Sequence, residues 1–241
     1  MRIKHSLRAL WQGRYNMHFK ELIESYKNNK VEFTEELKEV YEKYITTISS
    51  REMAASLECC VFLMTMFKEI NPRSILDLGS GFSSYALRYY KESRDSNTQI
   101  RSVDSVKVWL QKSKEFCKNN LIPSREIIEI DMTSDNPFPK QKTNVDVTNF
   151  FTWNEIYYKD CPTIMYDIIF LDIDKTIERP KYLEPIFNKF TGPDTIILVD
   201  DYHKGLLRKE LPPLIEKYNF DSYELKETQN RKRFQLLLKK R

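Results

Sequence analysis

Short apolar runs that end at or beside an aspartate alternate along this chain with longer stretches of helical spacing. The runs are SILDL (74–78), IRSVD (100–104), EIIEID (126–131), DIIFLDID (167–174) and TIILVDD (195–201). Segments 83–93, 106–119, 176–190 and 203–218 read as the helices between and after them. Such alternation predicts an α/β fold: a Rossmann-like, doubly wound, mostly parallel sheet with helices on both faces. Two further runs, DSYELKE and FQLLLKK, follow one another across a short loop, which predicts a C-terminal antiparallel hairpin and a total of seven strands. In an open parallel sheet the carboxyl ends of the strands form the ligand-binding edge. Asp77, Asp104, Asp131, Asp172 with Asp174, and Asp200 with Asp201 are therefore expected along one rim. Like charges gathered there raise one another's pKa unless hydrogen bonds, solvent, a metal or a cationic ligand compensates them. At any single position the alternative is a plain helix cap.

The remaining composition limits the classes to consider. A chain of 241 residues suits one main domain, and no apolar run approaches the ~18 residues of a membrane span. The cysteines Cys59, Cys60, Cys117 and Cys161 show no ligand-like spacing, so they read as buried thiols of a cytoplasmic protein. Residues 1–48 are expected to form a helical extension or cap of two or three amphipathic helices, and 49–241 the main domain. Ser49 and Glu52 have capping-box spacing, which predicts that the helix running to Ile70 starts there. The net charge of +4 is modest, but both ends are basic: the first twenty residues hold no acid, and NRKRFQLLLKKR closes the chain. These clusters solvate a surface or contact a polyanion, so nucleic acid is not excluded as a partner.

Two of the chain's five glycines, Gly79 and Gly81, fall in the turn after the first run, LDLGSGFSS. Glycine permits unusual backbone angles and close approach by a ligand. A dinucleotide fingerprint places a third Gly or Ala where this chain has Ser84, and Asp77 would set negative charge near a pyrophosphate. A ligand carrying an ammonium and a sulfonium would instead be attracted. The segment resembles the first motif of the class I S-adenosylmethionine (SAM)-dependent methyltransferases, with Ser83 at the place of a frequent third glycine. The resemblance covers roughly Ser49 to the C-terminus. It implies SAM as cofactor, held by Asp77, Gly79, Ser80 and Gly81, with Asp104 on the ribose hydroxyls and Asp131 and Met132 flanking the adenine.

Methyl transfer demands alignment of a nucleophile and, where necessary, removal of its proton. The chain lacks the Asn/Asp-Pro-Pro-aromatic motif of many nitrogen methyltransferases after its fourth strand. DIIFLDIDKT and TIILVDDYHKG are instead similar to segments of small-molecule O-methyltransferases acting on catechols and sugars. That similarity implies Asp172, Asp200 and Asp201 as ligands of a divalent cation such as Mg²⁺, although Asp201 stands where catechol-type enzymes have Asn. Asp172 and His203 are the candidate catalytic residues, His203 as proton acceptor or alternatively as a surface residue capping the next helix. The aromatic segment 149–160 shapes a pocket or packs as a lid. The leading expectation is methyl transfer to oxygen of a small sugar- or phenol-like molecule. The alternatives are an RNA or protein methyltransferase that uses the basic termini, a nicotinamide-dependent oxidoreductase disfavoured by Asp77 and Ser84, and a binding module on the same fold.

Overall fold

The structure is a computed structural model that describes residues 19–104, 106–124, 127–129, 165–172, 180–228 and 232–239. Strands β1 (Ser74–Leu78), β2 (Gln99–Asp104), β3 (Ile127–Glu129), β4 (Ile168–Leu171) and β5 (Ile196–Val199) run parallel. Strand β7 (Arg233–Lys239) pairs antiparallel with both β5 and β6 (Phe220–Lys226), and the order across the sheet is β3-β2-β1-β4-β5-β7-β6. From β1 the chain works outward to β3 and then returns to the other side of β1 as β4. The carboxyl ends of β1 and β4 therefore flank a topological switch point, the place where open α/β sheets bind ligands.

Helices α1 (Phe19–Thr47), α2 (Leu57–Ile70), α3 (Phe82–Ser93) and α4 (Lys107–Asn119) precede β3, while α5 (Pro180–Lys189) and α6 (Gly205–Lys217) flank β5. The period-two alternation of the strands separates two cores. Ile75, Ile100, Ile168, Phe170, Ile196 and Leu198 pack with α1–α4 on one face. Leu76, Leu78, Val103, Ile169, Leu171, Ile197 and Val199 pack with α5 and α6 on the other. With both faces covered, the central strands read as continuous apolar runs.

Residues 19–47 form one continuous helix, and residues 1–18 of the expected two- or three-helix extension lie outside the described residues. The segment contains neither Gly nor Pro to break it. Leu22, Asn29, Phe33, Leu37, Tyr41 and Tyr44 share its buried stripe, and its apolar members belong to the core of the α1–α4 face. The next helix begins after Ser56, whose hydroxyl accepts the Cys59 N–H at 3.0 Å, and not at Ser49. Ser49 and Glu52 lie instead in the turn leading up to it, where Ala54 N–H reaches the Ser50 carbonyl at 2.9 Å. Asn71, left-handed at φ 45°, ends α2 just before Pro72. Among the described residues no helix is long and apolar enough to cross a membrane.

Candidate functional site

The glycine turn closes β1 by linking it to β2. Gly79 adopts φ 117°, a region that favours glycine, and its N–H donates to the Val103 carbonyl at 2.9 Å. Gly81 is extended at φ −177°, and among the described residues a Cβ there would meet the Tyr44 hydroxyl, at 3.6 Å. Gly79 thus serves the turn's conformation, whereas Gly81 leaves open space. Asp77 is fully buried behind this turn. Ser83 donates to its Oδ1 at 3.0 Å, and Ser84 and Ser102 donate to its Oδ2 at 2.6 and 2.5 Å. The buried Arg88 guanidinium in turn donates to Ser102 Oγ at 2.7 Å and to the Ser84 carbonyl at 3.1 Å. Burial pushes the Asp77 carboxyl above its ordinary range, while the three hydroxyls and Arg88 oppose that rise. Sequence reasoning placed Asp77 against the cofactor. The structure places it in the core instead, where it pins β1, β2 and the start of α3 together.

A cavity of about 510 Å³ opens beyond the turn, within the size range of small-molecule sites. Gly79, Ser80, Gly81, Ser83, Asp104, Val106 and Trp109 form one wall; Asp172, Asp200, Asp201 and Lys204 form the other. Tyr44 from α1, the rim turn 52–55 and Lys232 complete the lining. Asp104 Oδ2 accepts both the backbone N–H and the hydroxyl of Ser80 at 2.7 Å, and Oδ1 accepts the Val106 N–H at 2.8 Å. The expected ribose ligand is therefore held in place by the glycine turn itself.

On the second wall, the Asp172 N–H donates to Leu78 O at 2.7 Å and the Asp200 N–H to Leu171 O at 3.1 Å, which fixes both residues at the strand ends. Asp200 Oδ1 accepts the Asp201 N–H at 2.7 Å, and Asp201 takes the left-handed φ of 57°. Lys204 Nζ donates to Asp201 Oδ2 at 2.6 Å. His203 does not line the cavity: its Nε2 lies 3.9 Å from Asp201 Oδ1, and its Nδ1 is buried without a hydrogen-bond partner. Asp172, Asp200 and Asp201 share one wall but do not fit the divalent-ion site suggested by the sequence. Among the described residues no group of three or more His, Cys, Asp or Glu is arranged to hold a metal, and the Lys204 ammonium already neutralises Asp201. Asp131, Met132, Asp174 and the aromatic segment 149–160 lie outside the described residues.

Sequence reasoning missed several residues. Lys204 had a readable signal, an i,i+3 spacing from Asp201. Tyr44, Trp109 and Lys232 had none, because each reaches the cavity through tertiary packing. Lys232 Nζ lies 3.3–3.4 Å from the carbonyl oxygens of Arg51, Glu52 and Ala54, and so clamps the rim turn to the start of β7. Behind that rim, Ser56 Oγ also donates to the buried Glu227 carboxylate.

No family model matches the sequence, and no curated protein does. Solved structures nevertheless share the fold. The SAH-bound methyltransferase PaMTH1 of Podospora anserina aligns over 100% of this chain and 97% of its own, with a TM-score of 0.56 and 16% identity. The Bacillus cereus O-methyltransferase in complex with SAH aligns over 85% and 90%, with 0.56 and 15%. TomG, a Streptomyces achromogenes O-methyltransferase involved in tomaymycin synthesis and solved with SAM, aligns over 99% and 98%, with 0.53 and 13%. At these identities the likeness is one of fold: the chain has the Rossmann-like α/β fold of the class I SAM-dependent methyltransferases.

Proposed function

We propose that the chain is a SAM-dependent methyltransferase acting on an oxygen of a small molecule, sugar- or phenol-like in character. One observation carries this reading: Asp104, at the end of β2, is hydrogen-bonded to Ser80 of the glycine turn on the wall of a ligand-sized cavity at the switch point. A carboxylate there suits a vicinal diol, and the open space at Gly81 admits a ligand against the backbone. Val106 and Trp109 offer apolar surface beside it. Asp131 and Met132 remain our candidates for the adenine.

When bound, SAM would supply a methyl group made electrophilic by its sulfonium. The protein's part is to orient the acceptor oxygen and take its proton. With His203 outside the cavity lining, the half-buried Asp172 is the better-placed acceptor of that proton. In this reading the seven-stranded sheet with its C-terminal hairpin forms the catalytic domain, residues 49–241. Residues 1–48 are an extension that delivers Tyr44 to the site. Cys59, Cys60 and Cys117 are buried free thiols whose pKa burial pushes up, which accords with inert side chains in the reducing cytoplasm.

A melting-temperature comparison tests the cofactor: SAH should stabilise the protein and NAD should not. Labelled SAM with a metabolite extract should then yield a methylated hydroxyl compound. Absence of any SAH shift would end the proposal.

A further inference from the structure

The second wall carries three carboxylates, at Asp172, Asp200 and Asp201, and among the described residues Lys204 is a cation that pairs with one of them. We propose that Lys204 takes the place of a divalent ion: its ammonium partially neutralises this wall and presents a cationic donor to the acceptor's oxygen in a metal-independent site. The inference rests on the methyltransferase reading for the identity of the acceptor, but not for the substitution of Lys for metal.

The geometry has three parts. Asp201 is held in a left-handed turn, and its carbonyl accepts the Lys204 backbone N–H at 2.9 Å, so the two residues form one closed unit at the mouth of α6. Lys204 Nζ donates to Asp201 Oδ2 at 2.6 Å while the side chain stays 44% exposed and lines the cavity, so a ligand can reach it. An ammonium carries three donors, and this contact with Asp201 uses one. The other lysine of the cavity differs, since Lys232 directs its ammonium at the Arg51, Glu52 and Ala54 carbonyls. A hard divalent ion would need oxygens from these carboxylates at roughly 2.0–2.6 Å. Asp201 Oδ2 already faces the ammonium, and Asp200 Oδ1 already accepts the Asp201 N–H.

The test compares Mn²⁺ binding to the full-length wild type, Lys204→Met and Lys204→Arg, read by electron paramagnetic resonance, with circular dichroism as the check of fold. The wild type and Lys204→Arg should bind Mn²⁺ weakly, and Lys204→Met at least tenfold more tightly, because removing the ammonium exposes the wall to an external cation. SAH affinity, measured on the same samples, should agree within twofold across the three. Wild-type methyl transfer from labelled SAM into a metabolite extract should persist in EDTA, and Lys204→Met should lose at least tenfold under the same conditions. Mn²⁺ binding by the wild type equal to that of Lys204→Met would overturn the proposal, as would wild-type activity that vanishes in EDTA. Failure of SAH to bind any of the three would count against the methyltransferase reading alone, since the Mn²⁺ comparison would still decide the role of Lys204.

Discussion

The two walls of the cavity solve the same electrostatic problem by different means. On the glycine-turn side, Asp77 and Asp104 are satisfied by neutral donors, the Ser80, Ser83, Ser84 and Ser102 hydroxyls and the Ser80 and Val106 N–H groups. On the opposite side, Asp201 faces a half-exposed ammonium. A buried network of short neutral bonds fixes geometry and is costly to break piecemeal. In the Asp201–Lys204 ion pair Asp201 is buried, and only the ammonium side is open to solvent and free to turn toward a ligand. The first wall is therefore a rigid seat, suited to a cofactor that is always the same molecule, and the second is adjustable, suited to an acceptor that arrives and leaves.

The largest expected effect lies in the rigid wall. Asp77→Ala strands three serine hydroxyls in the core and removes the carboxylate that offsets the buried Arg88, so it should cost about 3–5 kcal/mol of stability. Urea unfolding would read this, and a loss below about 1 kcal/mol would mean the network carries little. Asp201→Ala, the matching change on the adjustable wall, should cost far less.

The difference between the walls also sets what the sequence could reveal. The rigid wall is built from neighbours in the chain, residues 77–84, together with the end of β2, so the Gly-Ser-Gly turn and the strand-end aspartates announced it. What the pattern could not distinguish is which carboxylate faces the cavity. Asp77 and Asp104 both follow apolar runs, yet only the pairing of Asp77 with Ser102 across β1 and β2 sends it into the core. The adjustable wall gathers residues from β4, β5 and the rim turn, with Lys232 coming from the far end of the chain. No local spacing encodes that Lys232 clamps residues 51–54. The start of α2 was misplaced for a related reason. Ser49–Glu52 has the capping-box spacing, yet the cap is Ser56, whose hydroxyl accepts the Cys59 N–H and also reaches Glu227 across the fold.

Asp104→Ala should cost about 1–3 kcal/mol of stability, because the Ser80 and Val106 donors lose their acceptor, and should weaken SAH binding by about 1–3 kcal/mol, by isothermal titration, through loss of charge-assisted bonds. Unaltered affinity in a folded variant would remove Asp104 from the cofactor site.

The two glycines sharpen the contrast within the rigid wall. Gly79→Ala should cost about 1–2 kcal/mol in thermal unfolding, because an L side chain is strained at φ 117°. Gly81→Ala should cost almost nothing, since among the described residues its Cβ meets an ordinary contact with Tyr44. Gly81→Val should stay folded and lose SAH binding, and normal binding by that variant would make the turn purely structural.

The last effect, largest at alkaline pH, concerns a carboxylate behind the adjustable wall. Glu227 is buried just past the end of β6; one oxygen accepts from Ser56, and Oε2 has no hydrogen-bond partner. Burial is the main influence on its carboxyl. Asp200 and Glu58 push in the same direction, Ser56 and Lys232 pull against them, and the pKa rises from 4.5 to about 7. A carboxyl raised in the folded state holds its proton there while the unfolded chain releases it. Its contribution to stability is thus fully present below about pH 4.5 and is lost as pH rises through about 7. Glu227→Gln keeps an oxygen for Ser56 but cannot ionise. Urea unfolding across this range should show the variant more stable than wild type by about 1–2 kcal/mol near pH 8, with the gap closing toward pH 4.5. Parallel stability curves would show that the burial of Glu227 is fully offset by Ser56 and Lys232, which would remove this difference between the two sides of the cavity.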